Sequence, residues 1–190
     1  MATLVIELPQ QQSLAEANLR RWAEVVADPK LARLEERVET DRFGHIIMSP
    51  PPSARHGSYQ SRICALLDKH MKSGRVVSEC PISTADGVKA ADVAWASPER
   101  LAELEDQQCF PRAPEICVEI LSPGNTEEEM RNKTALYFDA GAREVWYCAD
   151  DGQMKFLQSG KVQPMRASRL CPGFPARVEL RASPRGPNRQ

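Results

Sequence analysis

The stretch Glu115-Ile-Cys-Val-Glu-Ile-Leu121, then Ser122-Pro-Gly-Asn125, Thr126-Glu-Glu-Glu129 and, after Gly141, Glu144-Val-Trp-Tyr-Cys148, decides how this chain folds. Alternation in the first run sets Ile116, Val118 and Ile120 on one face of a strand and Cys117, Glu119 and Leu121 on the other. Both faces are largely apolar, as in a central strand covered on each side. Thr126 and Glu129 make a capping box, and three consecutive glutamates fill the first turn, where the helix dipole favours negative charge. The helix runs to Ala140, Gly141 stops it, and a second strand follows from Glu144. Strand, helix and strand in this order imply a parallel pair joined by a right-handed crossover.

Working upstream, Val76 to Thr84 and Ala90 to Ala96 read as strands joined through Ala85-Asp-Gly87, an antiparallel hairpin. Ser58 opens a helix with Tyr59, Ile63, Leu66, Leu67 and His70 near one face, and Gly74 ends it. Arg37 to Met48 form another hairpin around Asp41-Arg-Phe-Gly44, closed by Pro50-Pro-Pro52. Before it, Ser13 can cap a helix carrying Leu14, Ala17, Trp22 and Val25 on one side. Ser97-Pro98 leads into a short helix near Glu99 to Glu105. Downstream, Met154 to Leu157 and Lys161 to Met165 suggest a last hairpin around Ser159-Gly160. The fold class that follows is α/β: a mixed central sheet flanked by helices, with additional N- and C-terminal β-hairpins. Its expected division is a helical arm at 1–34, the main domain at 35–178 and a basic tail at 179–190.

At 190 residues, 42% apolar and 27% charged, the chain suits one ordinary domain and excludes a disordered tail. No 18-residue apolar run occurs, and the first residues lack the basic start and apolar stretch of a signal peptide. The expectation is a soluble cytoplasmic protein with no membrane partner. The six cysteines form no Cys-x-x-Cys pair and no zinc spacing with the three histidines. Cys117 and Cys148 sit among strand-forming residues, where a reduced thiol acts as a small hydrophobe.

A net charge of −1 argues at first against a nucleic-acid binder. The total conceals a cancellation. Residues 152–190 hold eight basic side chains against the single acid Glu179, which leaves the rest of the chain negative. That segment is either a phosphate-contacting surface or a solvated tail.

Three polar residues fall where apolar ones are due. Glu119 lies inside a hydrophobic strand, and an ionised carboxylate buried without a partner is costly enough to demand a facing positive charge. Asp92 repeats the anomaly in Ala90-Ala-Asp-Val-Ala-Trp-Ala96, on the side shared with the small Ala94 and Ala96. Lys133 follows Met130 and precedes Tyr137 and Ala140 at helical spacing, so it falls on the stripe facing the sheet. Singly, each has a plain structural reading: a salt-bridged glutamate, an aspartate in a turn, a lysine whose stem reaches solvent. Jointly, two acids on neighbouring strands and a cation on the next helix suit metal-assisted phosphodiester hydrolysis.

Val118-Glu-Ile-Leu-Ser-Pro-Gly-Asn125, Asn132-Lys133 with Tyr137, and Gly141-Ala-Arg-Glu-Val-Trp-Tyr147 resemble the signature of the Uma-type endonuclease family of the PD-(D/E)xK, restriction-endonuclease-like superfamily. The similarity reaches upstream through Glu39, Met48-Ser-Pro-Pro51, His56 and Ala91-Asp-Val-Ala94. It implies a restriction-endonuclease-like fold, DNA as substrate, and magnesium or manganese as cofactor. Asp92 and Glu119 become metal ligands, the Ile120 carbonyl completes the shell, and Lys133 is the catalytic cation. Glu39 is a further candidate metal carboxylate, and His56 a candidate acid, base or phosphate contact. Ala91 stands where the wider motif has proline, and Leu121 stands where many relatives carry the lysine, with Lys133 as its substitute. Ser122 lacks the Gly-x-Ser-x-Gly elbow of a nucleophile. Cutting both strands of a duplex implies a homodimer. The alternative to a nuclease is an inactive nucleic-acid-binding or protein-interaction module that retains the fold.

Overall fold

The computed structural model describes residues 11–180 and sets β5 (Ile116–Ile120) in the middle of a five-stranded sheet. β3 (Arg75–Thr84) and β4 (Gly87–Ala96) form the long hairpin, β6 (Glu144–Cys148) runs parallel to β5, and β7 (Met154–Gln158) returns antiparallel. The order is β3-β4-β5-β6-β7, a mixed sheet. The crossover is α4 (Glu127–Asp139), with the Thr126–Glu129 capping box in place and Gly141 at φ +102°, the left-handed conformation a helix stop requires.

Each face of β5 has its own core, as the two-sided apolar pattern requires. On one side, Ile116, Val118 and Ile120 pack with Val93, Trp95 and Trp146 against Tyr59, Ile63, Leu66 and Leu67 of α2 (Ala54–His70). On the other, Cys117, Ala94 and Val145 pack against Met130 and Tyr137 of α4. The sheet is thus sandwiched between helices, and the site lies where β4, β5 and α4 meet.

The leading helix α1 (Gln11–Ala27) lies against this body. Asn18 Nδ2 donates to Ser83 Oγ and the Thr84 carbonyl, both at 2.9 Å, while Trp22 and Val25 cluster with Val88 and Cys109. The helix is already formed at Gln11, two residues before the expected cap Ser13. The N-terminal hairpin, β1 (Arg37–Thr40) with β2 (Ile46–Ser49), is a separate two-stranded ribbon resting on β4. Gly87 is needed where they meet: its φ is +78°, and a Cβ there would lie 2.3 Å from the Asp41 carbonyl oxygen.

Two local expectations change. α2 starts one turn before Ser58, capped by Ser53 Oγ accepting from His56 N–H at 3.2 Å, because the proline run ends there and Ser53 is the first residue able to cap. The second arm of the C-terminal hairpin, Lys161 to Met165, makes only one bridge, Phe156 to Met165. Val162 is 94% exposed and Pro164 has no N–H to give a ladder. Residues 1–10 of the expected arm, and 181–190 of the expected tail with Arg181, Arg185 and Arg189, lie outside the described residues.

α3 (Pro98–Leu104) shows how a carboxylate fixes a corner. Ser97 caps it, and the buried Glu115 carboxylate accepts from Ser97 N–H at 3.0 Å and Ser97 Oγ at 2.7 Å. Burial pushes Glu115 up, but these bonds and the Arg100 charge outweigh it and hold it below the usual glutamate value. A depressed folded pKa means stability that is present above about 4.5 and is lost as pH falls through the folded value. Glu115→Gln is therefore expected to cost about 1–2 kcal/mol at pH 7, from weakened charge-assisted bonds. The gap from the parent should close as urea melts are repeated below pH 4.

Candidate active site

The β4–β5 ladder pairs Ala94 with Cys117 and Val93 with Val118, then stops. One position further, the same register sets Asp92 across from Glu119, on the face shared with Ala94 and Cys117. Two carboxylates thereby stand side by side at the end of the ladder. Asp92 is 1% exposed and Glu119 5%.

Every oxygen of the pair is already engaged. Asp92 Oδ2 accepts from the Ile120 N–H at 2.6 Å and lies 3.2 Å from His56 Nε2, while Oδ1 accepts from Arg37 Nη1 at 2.7 Å. Burial pushes Asp92 up, but the His56 bond and the Arg37 charge win and hold it below the usual aspartate value. Glu119 Oε1 accepts from Tyr137 Oη at 2.7 Å, and Oε2 accepts from Lys133 Nζ at 3.0 Å. Here burial wins: the Glu119 carboxyl is pushed up to about 7 despite the Lys133 charge.

Lys133 is the facing charge that the strand demanded. Its Nζ also donates to the Ala90 carbonyl at 3.2 Å and lies 3.4 Å from Glu39 Oε1. Burial lowers its pKa, yet Glu119 and Glu39 outweigh burial and keep the ammonium protonated. Thus α4 delivers the ammonium that Leu121 does not supply. Glu39, on β1, accepts from the Ala90 N–H at 2.9 Å and so reaches the site from outside the main sheet. His56, at the start of α2, is raised by its hydrogen bond to Asp92 against the effect of burial, and its Nδ1 is buried without a partner.

The structure therefore brings together Asp92, Glu119, Lys133, His56 and Glu39, with Ile120 beside them in one cleft of about 710 Å³. Ile120 turns its side chain into the α2 core and gives its N–H to Asp92. Sequence reading missed Arg37, Glu79 and Gln60, and gave Tyr137 a place but no role. Arg37 reads as the first residue of a hairpin, and Glu79 as one position of the Val76 to Thr84 strand. Only the packing of β1 on β4 turns Arg37 onto Asp92. Tyr137 was recoverable, since it follows Lys133 by one helical turn on the stripe that faces Glu119. Ser122 makes a loop contact, its N–H donating to Asn125 Oδ1 at 2.8 Å.

Among the described residues, no three His, Cys, Asp or Glu side chains gather as a metal cage. A hard cation needs less than that. Magnesium keeps several waters and is held by one or two carboxylates, with substrate phosphate supplying further oxygens. Adjacent Asp92 and Glu119 at an open cleft match that donor set, and Asp92 Oδ1 and both Glu119 oxygens, each with one partner, retain a lone pair for a cation.

Comparison with known proteins bears on the fold and the family. A crystal structure described as "a putative nuclease belonging to DUF820 from Anabaena variabilis ATCC 29413" superposes with a TM-score of 0.56 at 21% identity, over 65% of this chain and 73% of that one. That likeness establishes the shared fold. No curated protein matches the chain. The family model described as "Uma2: Putative restriction endonuclease" matches residues 22–181, from α1 through the last described strand and beyond. The chain belongs to the Uma2 family.

Proposed function

We propose that this protein is a divalent-metal-dependent endonuclease that hydrolyses DNA phosphodiester bonds. The observation that carries this reading is the adjacency of two buried carboxylates, with a lysine ammonium 3.0 Å from one of them, in an open cleft. Asp92 and Glu119 would hold magnesium or manganese, with the Ile120 carbonyl as a third oxygen. The bound ion would polarise the phosphoryl oxygen and lower the pKa of a water.

The remaining steps belong to the chain. Lys133 orients the attacking water and stabilises the negative charge that develops on the phosphate. Glu39 keeps Lys133 aimed and charged, and Tyr137 fixes the rotamer of Glu119 by donating to its other oxygen. His56, with Nε2 committed to Asp92, orients that carboxylate. A homodimer would give one site for each strand of a duplex.

The expected result is conversion of supercoiled plasmid to nicked and linear forms in millimolar magnesium or manganese, abolished by EDTA. Cleavage that persists undiminished in EDTA would sink the metal-dependent reading. A second reading, a nucleic-acid-binding module without catalysis, is favoured by the fact that Arg37 and Lys133 already neutralise the two acids. Calorimetry separates them, because that module binds DNA with no manganese uptake.

A further inference from the structure

Arg37 has no place in the chemistry above, yet it is as heavily committed in the cleft as Lys133. Its side chain is 19% exposed, and Nη1 donates to Asp92 Oδ1 at 2.7 Å. Nη2 donates to the Ala90 carbonyl. Nε lies 3.2 Å from Glu79 Oε2 but is not aligned for a hydrogen bond to it, and this buried N–H has no other acceptor. The guanidinium thus spans a buried carboxylate and one at the rim, since Glu79 is 45% exposed.

Glu79 is built to stay there. In the β3–β4 hairpin Ser78 pairs with Val93 and Cys80 with Ala91, which leaves Glu79 and Asp92 facing each other across the gap. Its φ of +49° is a left-handed conformation that a residue with a side chain rarely adopts. Gln60 of α2 joins the two, its Nε2 donating to Glu79 Oε1 at 2.7 Å and to the Asp92 carbonyl at 2.9 Å. Arg37 therefore has a second carboxylate within reach of the same guanidinium, and one nitrogen, Nε, without a hydrogen-bond acceptor.

A buried Asp92 needs an opposing positive charge in every state of the protein. Two cations cannot both sit against one buried oxygen without strong repulsion. We propose that Arg37 is the built-in counter-ion of the metal-free protein: it holds Asp92 Oδ1 until a divalent ion binds, then leaves Asp92 and stays with Glu79. This rests on the metal-dependent reading above. Arg37 is a positioning residue in this scheme, keeping the empty site folded and setting how tightly it takes metal. Once off Asp92, its guanidinium faces the cleft with the planar fork that suits a phosphodiester.

The test is manganese binding by calorimetry on the full chain without DNA, with melting followed in EDTA and in manganese. Arg37→Gln is expected to bind manganese roughly tenfold tighter, within the range of coupling between contacting groups. It should also melt lower than the parent in EDTA and gain more from manganese. Glu79→Gln is expected to weaken binding in the parent and to have no further effect in the Arg37→Gln background, because Glu79 acts through Arg37. If Arg37→Gln does not fold, Arg37→Lys carries the test. Its ammonium cannot hold Asp92 and Ala90 together as the fork does, so affinity should rise a few-fold. Unchanged or weaker manganese binding in the folded arginine variant overturns the proposal while leaving a metal-binding parent intact. Equal loss from Glu79→Gln in both backgrounds would make Glu79 a ligand and overturn its part. Absence of manganese binding in parent and variants alike would reject this inference together with the metal reading.

Discussion

Glu119→Gln is expected to lower metal-dependent cleavage of plasmid DNA by about three orders of magnitude while leaving the protein folded. The glutamine keeps the length of the side chain and an oxygen able to accept from Tyr137. It removes the negative charge that would hold the ion and balance Lys133. Loss of folding is not the cause, because ionised Glu119 is a burden on the fold. Burial pushes its carboxyl up to about 7 in the folded protein, against an ordinary 4.5. A raised folded pKa means that its contribution is stabilising below about 4.5 and is lost as pH rises through about 7. Metal-free parent protein should therefore lose melting temperature relative to Glu119→Gln between pH 5 and 8, with Glu39 still facing Lys133 in the variant. The checks are initial cleavage rates at saturating manganese and thermal melts in EDTA across that range. Cleavage within a few-fold of the parent would remove Glu119 from the chemistry.

Glu144→Ala is expected to be strongly destabilising, costing about 4 kcal/mol. Glu144 is 1% exposed at the start of β6, far from the cleft. Its Oε2 accepts from Trp146 Nε1 at 2.8 Å and Ser168 Oγ at 2.7 Å, and its Oε1 accepts from the backbone N–H groups of Arg169 and Leu170 at 2.9 and 3.1 Å. Among the described residues no salt bridge faces it; four uncharged hydrogen-bond donors satisfy its oxygens. Truncation leaves those donors unsatisfied in a closed interior and opens a cavity beside Trp146. The segment they hold carries Cys171, Phe174 and Val178 into the α2-side core, so its release should expose that core. Glu144→Gln, which retains one acceptor oxygen, should cost less than the alanine change. Urea denaturation measures both, and hydrogen exchange should show residues 168–178 losing protection first. A loss of unfolding free energy under about 1 kcal/mol for the alanine variant would show the carboxylate to be dispensable.

The two carboxylates differ in how readable they were. Glu119 stands out because alternation makes it the one charge in a strand covered on both faces, and Asp92 stands out among alanines for the same reason. Lys133 follows from helical spacing. In each case the anomaly is local, a polar residue at a position whose period assigns it to the interior, so a one-dimensional pattern suffices. Glu144 gives no such signal. At a strand's first position a glutamate is ordinary, and three of its four donors come 24 to 26 residues later in a stretch without regular structure. Arg37 and Glu79 are silent for a related reason, since a charge near a hairpin or on an edge strand is most often solvated.

Sequence periodicity by itself determined the strand-helix-strand crossover, the long antiparallel hairpin, the two apolar faces of β5 and the acid-acid-lysine set, because each depends on near neighbours and on the fixed repeats of strand and helix. Tertiary structure alone decided the sheet order, the seating of α1 and the β1–β2 ribbon, and the partners of each buried charge. Those depend on contacts between segments far apart in the chain, such as Arg37 with Asp92 at 55 residues and Asn18 with Ser83 at 65. Burial strengthens such pairs by excluding water, but a charge shows in sequence only as a charge, with no mark of which distant partner the fold will bring to it.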